Sequence, residues 1–202
     1  MRYMKNLGMF FCTIILVFML GGVTEAATYT FQPTPADLYD LNHSYYYTWG
    51  IDWDIPAGEI IVSASLFFDN IHNGWSSFEN LWVHLLDSAT AGVASGYDNK
   101  GGGDNFSGQG ILLHHWQNLP ASAQDITYDF NPFEIATLNT YVTDGNFGLG
   151  FDPDSLCPFT HYYYNDGITL TVETVPIPPT ILLLGSGLLG FGLLSRRRKG
   201  NT

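Results

Sequence analysis

Residues 59–70 read EIIVSASLFFDN, and the spacing of their side chains decides the fold class. The apolar residues that recur at every second position are Ile60, Val62, Ala64, Leu66 and Phe68. The positions between them include the polar residues Ser63, Ser65 and Asp69. An alternation with a period of two places the apolar side chains on one face of a strand and the polar ones on the other. The stretch therefore predicts a half-buried β-strand.

The same alternation recurs along the rest of the chain. It is found in NFGLGFD (146–152), in GITLTVETV (167–175) and around Ile51, Trp53 and Ile55, which oppose Asp52 and Asp54. Further strand candidates are FENLWVHLL (78–86), GILLHHWQ (110–117) and DITYDF (125–130). Clusters of Gly, Asn, Asp and Pro separate these segments, and the longest, residues 95–110, predicts a loop.

One segment has the pattern of a helix instead. Asn131 suits the N-cap, Pro132 the first helical position and Glu134 the third, while Gly145 is suited to end the helix. The apolar residues that follow at helical spacing are Ile135, Leu138 and Val142. Several strands with one short helix predict an all-β fold, an antiparallel jelly-roll-like β-sandwich in which the helix lies in a connection.

The N-terminus, MRYMKNLGMFFCTIILVFMLGGVTEA, predicts a signal peptide over residues 1–26. Arg2 and Lys5 precede an apolar stretch, residues 7–20, and small residues permit cleavage after Ala26. A retained N-terminal membrane helix is the alternative. Cleavage leaves residues 27–174 as one domain of ordinary size, which we expect to be the β-sandwich.

The C-terminal segment, VPIPPTILLLGSGLLGFGLLSRRRK (175–199), has a proline-containing start, a short apolar helix and a basic cluster. The apolar run, residues 181–194, is short for a helix that crosses a bilayer. The positive-inside rule keeps the basic cluster in the cytoplasm, which predicts a transient inner-membrane span with the domain outside. A simple tail anchor is the alternative.

This tail resembles the PEP-CTERM sorting signal, which an exosortase is thought to recognise and remove. The matching positions are Val175, Pro176, Pro178, Arg196, Arg197 and Arg198. The tail departs from the motif at Ile177, where the family has Glu, so the cleavage point is not defined by the motif. The resemblance implies an exosortase-like membrane protease as a partner. It also implies export to the cell surface or extracellular matrix of a Gram-negative bacterium that makes exopolysaccharide.

The charge of residues 27–174 is strongly negative. Removing Glu25 from the 19 Asp and Glu residues of the chain leaves 18, against the single cation Lys100. Nucleic acid is therefore excluded as a partner, because no positive patch is available to meet phosphates. The acids are expected to cap backbone groups, face water or share a cation. Asp152, Asp154 and Asp166 predict a Ca²⁺ site in loops, with ordinary turn chemistry as the alternative.

Aromatic residues and glycines predict a glycan-binding face. Gly148 and Gly150 fall on the outer side of a predicted strand, where glycine often marks close approach by a ligand. The tyrosines of a nearby run, Tyr162, Tyr163 and Tyr164, and of a second run, Tyr45, Tyr46 and Tyr47, cannot all point inward. Their exposed rings suit stacking on sugars, and capping of the sandwich ends is the alternative.

Motifs of catalysis are absent, since the sequence has no HExxH, no GxSxG and no P-loop. We therefore expect a non-enzymatic, structural or adhesive protein of the cell surface or of a biofilm matrix. The first alternative is a carbohydrate-binding module for exopolysaccharide. A secreted glycosidase or lyase is a distant alternative, for which Asp52 and Asp54 are the candidate paired carboxylates.

Overall fold

The structure, a computed structural model, describes residues 25–73, 79–98, 103–155 and 161–177. The compact unit treated below is Ala27–Thr174. The strands of the described residues are β1 Ala27–Phe31, β2 Tyr45–Asp52, β3 Glu59–Asn73, β4 Glu79–Leu86, β5 Gly92–Tyr97, β6 Ile111–Gln117, β7 Gln124–Asp129, β8 Asn146–Ser155, β9 Tyr163–Tyr164 and β10 Gly167–Pro176. One α-helix, α1, spans Pro132–Tyr141.

Two sheets form the sandwich, one in the order β1-β10-β3-β7 and the other in the order β5-β2-β8-β4-β6. The short strand β9 pairs with β3. Every strand pair with a described register is antiparallel. When β5 and β9 are left out, eight strands remain, four in each sheet. Their order within the two sheets is that of a jelly roll, in which the first strand pairs with the last. The predicted fold class is confirmed.

The core lies between the sheets and is built by the predicted alternation. In β8 the side chains of Phe147, Leu149 and Phe151 are fully buried, and in β10 those of Ile168, Leu170 and Val172 are as well. A leucine or phenylalanine buried in this way stabilises the fold by roughly 1.5–3 kcal/mol relative to an exposed one. The period-two pattern therefore located the core-facing side of both strands correctly.

The start of β3 departs from the predicted face. Ile60 and Val62 are exposed, whereas Ile61 is buried, so the side that faces the core changes between Ile61 and Ala64. At this point β3 contacts α1, where the Asn139 side chain accepts from the Ile61 N–H (3.0 Å) and donates to the Ile61 carbonyl (2.9 Å). These two hydrogen bonds fix the Ile61 backbone against α1, and the prediction for Ile60 and Val62 is wrong.

Helix α1 begins as predicted. The Asn131 side chain accepts from the N–H groups of Phe133 (2.9 Å) and Glu134 (3.1 Å), and the Glu134 carboxylate accepts from the Asn131 N–H (2.7 Å). This reciprocal pair is a capping box, which satisfies N–H groups that the helix itself leaves unpaired. A 3₁₀ turn, Val142–Asp144, follows, and Gly145 adopts a left-handed conformation (φ 82°) after it.

Some segments were predicted wrongly or missed. Residues 95–110 are not loop throughout, because β5 continues to Tyr97 and pairs with β2. Strands β1, β5 and β9 were not predicted. The predicted signal peptide and sorting tail lie almost entirely outside the described residues, which include only 25–26 and 175–177 of them. Within the described ranges, no helix has the length and apolar character needed to span a bilayer.

Candidate functional site

A surface cavity of ≈ 420 Å³ lies on the edge of the second sheet, where β5 pairs with β2. Its described lining residues are Tyr39, Asn42, Tyr45, Tyr47, Ser95 and Tyr162, and we call it the tyrosine cavity. Its volume falls within the usual range for small-ligand sites. Four of the six lining residues are tyrosines, which gives the cavity apolar ring faces with polar edges.

A strained turn positions Tyr39. Four consecutive residues that are not glycine, Leu38 to Leu41, have positive φ angles between 41° and 58°. Such conformations cost free energy and persist only where the surroundings impose them. Here the side chains of Leu38 and Leu41 are fully buried, so both ends of the turn are anchored in the core. The turn therefore presents the Tyr39 ring at the surface, beside that of Tyr47 (6.2 Å between centroids, 22° between planes).

The floor of the cavity is rigid. Tyr47 is buried in the middle of β2, and its hydroxyl accepts a hydrogen bond from the Asn42 N–H (3.1 Å). The Asn42 side chain in turn accepts from the Ser44 N–H (2.9 Å), and Asn42 forms a β-bridge with Tyr162. Burial raises the pKa of the Tyr47 hydroxyl, so that this group remains a neutral donor and acceptor.

A row of aromatic rings extends from the cavity. Tyr162 is stacked on Tyr164 (5.5 Å, 29°), and Tyr164 is stacked on His72 of β3 (5.4 Å, 27°). On the other side of the cavity, Tyr45 contacts Tyr97 edge to face (5.5 Å, 71°). These ring pairs add aromatic surface next to the lining residues Tyr45 and Tyr162.

The structure separates the residues that were predicted to bind glycan. Tyr164 is exposed and Tyr162 is half-buried, but Tyr163 between them is fully buried in the core. Gly148 and Gly150 lie on the side of β8 that points away from the core, but both are buried. A Cβ atom at Gly148 would lie 2.6 Å from the Ala89 Cβ, and one at Gly150 would lie 2.9 Å from the Phe106 ring.

The glycines have a structural role instead. Phe106 is 3% exposed, and its ring lies over Gly150 on the face of β8 that points away from the core. Glycine at this position leaves room for that ring, which is the close approach that a strand glycine permits. Residues 103–109, which include Phe106 and which we call the covering segment, therefore cover the outer face of β8. The glycines do not form a platform for a ligand.

Asp152 and Asp154 lie together beneath the same covering segment, on the outer face of β8. Asp152 is fully buried and accepts hydrogen bonds from the N–H (2.7 Å) and the side chain of Asn105. Asp154 accepts from the Gly103 N–H (3.3 Å). Burial raises the pKa of Asp152 to about 7, the hydrogen bonds from Asn105 lower it, and the neighbouring Asp98 carboxyl raises it.

A contact between His84 and Asp104 joins the covering segment to β4. The Nε2 atom of His84 lies 2.9 Å from the Asp104 carboxylate, and its Nδ1 atom lies 3.2 Å from the Gln109 carbonyl oxygen. Both ring nitrogens thus face oxygen acceptors. The His84 side chain is buried, with 3% of its surface exposed.

Asp166 belongs to a different part of the molecule. Its carboxylate accepts from the Asn70 side chain (2.6 Å), and its N–H donates to the Asp69 carbonyl (2.9 Å), so its partners are in β3 of the first sheet. Among the described residues, no group of three His, Cys, Asp or Glu side chains is placed to hold a metal ion. The structure does not bring Asp166 together with Asp152 and Asp154, and Ca²⁺ binding at Asp152 and Asp154 stays a prediction.

A buried histidine cluster lies near the cavity. It consists of His43, Glu79, His161 and Tyr163, each at most 8% exposed. His161 Nδ1 lies 3.2 Å from the Glu79 carboxylate, and the His43 ring contacts that of Tyr163 (4.6 Å). Neither ring nitrogen of His43 has a hydrogen-bond partner in the described part of the chain. Burial therefore lowers the pKa of His43 to about 3 and raises that of Glu79 to about 7.

Sequence reasoning found part of the tyrosine cavity. The runs that contain Tyr45 and Tyr162 were recognised by their density of aromatic residues. Tyr39, Asn42 and Ser95 were missed, because they come together only through the strained turn and the β2–β5 pairing. The sequence signal that was available is the pair of leucines that flanks Tyr39 and Asp40, which anchors the turn.

The chain was compared with family models, curated proteins and solved structures. No family model and no curated protein matches this chain. One similar solved structure, "Structure of infectious bursal disease virus Gx strain", is 12% identical, with a TM-score of 0.25 over 79% of this chain and 42% of that one. The chain thus spans about two fifths of the length of the viral chain. The fold assignment rests on the strand order and not on this likeness.

Proposed function

We propose that this protein is an exported, non-enzymatic protein of the cell surface or extracellular matrix that adheres to polysaccharide through the tyrosine cavity. The observation that carries the proposal is the set of Tyr39, Tyr45 and Tyr162 rings around a cavity of ≈ 420 Å³. Tyrosine faces stack on the C–H faces of sugars, while the polar groups of Asn42 and Ser95 are suited to bind hydroxyls.

The construction of the cavity supports this function. Tyr45, Tyr47 and Ser95 lie on paired strands, and Tyr39 is fixed by its anchored turn. A ligand would therefore meet rings that are already in position, which lowers the entropy lost on binding. The row of Tyr162, Tyr164 and His72 adds stacking surface for a chain of several sugar units.

The alternative of a glycosidase has less support. A retaining or inverting glycosidase acts through two carboxyl groups on either side of the scissile bond. The described lining of the tyrosine cavity consists of Tyr, Asn and Ser. Asp52 accepts a hydrogen bond from the Asn146 side chain (2.6 Å) and lies at the opposite end of β2 from Tyr45.

Export and sorting rest on the two ends of the sequence. The signal peptide and the tail that resembles PEP-CTERM support removal of both ends, with an exosortase-like protease as the partner at the tail. The mass of the intact exported protein tests this part. A product that begins near Ala27 and ends near Pro178 is expected. A membrane-bound product that keeps Arg196 to Arg198 would instead establish a tail anchor.

Glycan binding is tested with the processed domain on a glycan array and by calorimetry. The variants Tyr39→Ala and Tyr162→Ala each remove one cavity ring and should weaken binding at least about fivefold, as loss of an aromatic anchor does. Phe133→Ala is the matched control, because Phe133 is an exposed aromatic residue of α1 outside the cavity. Binding that is absent for every polysaccharide, or unchanged in both tyrosine variants, would refute the proposal.

A further inference from the structure

The domain that contains the tyrosine cavity is strongly acidic. Of the 19 Asp and Glu residues of the chain, all except Glu25 lie between residues 27 and 174. Lys100 is the single Lys or Arg between residues 27 and 174. A surface of this composition has a negative potential, which attracts cations and repels anions.

Several carboxylates adjoin the cavity itself. The Asp37 side chain accepts from the Tyr39 N–H (3.0 Å), and Asp40 is the next residue along the strained turn. Burial is the main cause of the raised pKa of the Tyr47 hydroxyl, and the negative charge of Asp98 adds a smaller contribution. The Asp98 N–H donates to the Ser44 carbonyl (3.1 Å), which fixes the backbone of Asp98 beside β2. Tyrosine faces are thus combined with nearby negative charge.

We propose that the tyrosine cavity selects amino sugars with a free ammonium group, as in a de-N-acetylated polysaccharide, over neutral sugars and uronic acids. This inference rests on the proposed glycan-binding function and names its ligand class. An ammonium group is attracted to the negative face of an aromatic ring, and the flanking carboxylates strengthen that attraction. A uronate meets the same carboxylates and is repelled.

The ring geometry favours a sugar over a lysine side chain of a protein partner. The rings of Tyr39 and Tyr47 are nearly parallel, as are those of Tyr162 and Tyr164. Because Tyr47 is buried, the exposed Tyr39 supplies the flat outer face of the first pair. Such flat faces fit the flat faces of successive sugar units. An aromatic cage for an isolated ammonium group surrounds the cation instead.

The experiment compares four probes of similar size by calorimetry with the processed domain. They are a glucosamine trimer, its N-acetylated counterpart, a uronic acid trimer and a trilysine peptide, all at about pH 5.5, where amines are protonated. The glucosamine trimer is expected to bind about tenfold more tightly than the N-acetylated trimer. This difference in affinity is what one or two cation–π contacts contribute. The uronic acid trimer is expected to show no binding.

Variants separate this selectivity from general attraction to an acidic protein. Tyr162→Ala and Tyr39→Ala leave the net charge unchanged and should abolish the preference for glucosamine, whereas Tyr162→Phe keeps the ring face and should retain it. A preference that persists in both alanine variants would overturn the inference in favour of unspecific charge attraction. Phe133→Ala, outside the cavity, should behave as the unmodified protein does.

The outcomes distinguish the inference from the function on which it rests. Equal or tighter binding of the N-acetylated trimer, with loss in Tyr162→Ala, overturns the inference and leaves glycan binding in place. Tighter binding of trilysine than of glucosamine overturns the sugar assignment and points to a protein partner. Absence of binding by all three sugar probes, together with a glycan array on which nothing binds, removes the proposed function as well.

Discussion

Replacing Glu79 by Gln should change how the stability of the domain depends on pH. Burial raises the pKa of Glu79 to about 7 from the usual 4.5, although the nearby Asn73 side chain acts in the opposite direction. The folded protein therefore holds this proton more tightly than the unfolded chain does. The resulting stabilisation is fully present below about pH 4.5 and is lost as the pH rises through 7.

The size of the effect follows from the two pKa values. A difference of 2.5 units corresponds to a total of about 3 kcal/mol, of which about 2 kcal/mol is lost between pH 5 and pH 8. Glu79→Gln keeps the shape and can donate to His161 but does not ionise. The free energy of unfolding of the variant, relative to the unmodified protein, should therefore rise by about 2 kcal/mol from pH 5 to pH 8.

Urea unfolding followed by tryptophan fluorescence at several pH values measures this difference. His43 acts in the opposite direction, because its lowered pKa gives stability above pH 6.5 that is lost towards pH 3. Since His43 is present in both proteins, its contribution cancels in the comparison. The exposed Glu173→Gln is the matched control for loss of one negative charge. A difference between variant and unmodified protein that stays constant from pH 5 to pH 8 would refute the assignment.

Three further predictions concern the covering segment, the helix and the cation. Phe106→Ala should lower the free energy of unfolding by about 3 kcal/mol in urea titrations, because it uncovers Gly150 and leaves a cavity; a loss below about 1 kcal/mol would show that the ring is not a structural cover. Asn131→Ala should cost about 1 kcal/mol by the same assay, since two helix N–H groups lose their acceptor; an unchanged midpoint contradicts this. Millimolar Ca²⁺ at matched ionic strength should raise the melting temperature, because binding at a hundredfold excess over Kd stabilises the folded state by about 2.7 kcal/mol. The double variant Asp152→Asn with Asp154→Asn should not respond to Ca²⁺. Identical melting temperatures with calcium and with chelator would exclude the site.

The sequence predicted those parts of the molecule that depend on local periodicity. The faces of β8 and β10 and the cap of α1 were correct, because alternation and capping act over a few residues. The face of Ile60 and Val62 was wrong, and the Ile61 between them bonds through its backbone to Asn139, far along the chain. Such tertiary contacts leave no trace in a local pattern.

The candidate site was harder to predict for the same reason. A glycine on the outer side of a strand indicates a close approach, but the sequence does not say what approaches. At Gly150 it is Phe106 of the same chain, and not a ligand. Tyr39 reaches the cavity only because a turn with four positive φ angles presents it. Composition indicated that exposed tyrosines exist, and only the strand pairing determined which of them meet.

Calcium binding and amino sugar binding should oppose each other, because Asp98 adjoins both places. Its charge acts on the Tyr47 hydroxyl in the cavity floor, and its carboxyl contacts that of Asp152 beneath the covering segment. A Ca²⁺ ion at Asp152 and Asp154 would neutralise part of the negative potential that favours an ammonium group in the cavity. Coupling between two binding sites is reciprocal, so the glucosamine trimer should also weaken Ca²⁺ binding by the same factor. Calorimetric titrations of each ligand in the presence of the other, at matched ionic strength, measure both factors. Glucosamine binding that is unaffected by saturating Ca²⁺ would show that Asp98 does not connect the two sites.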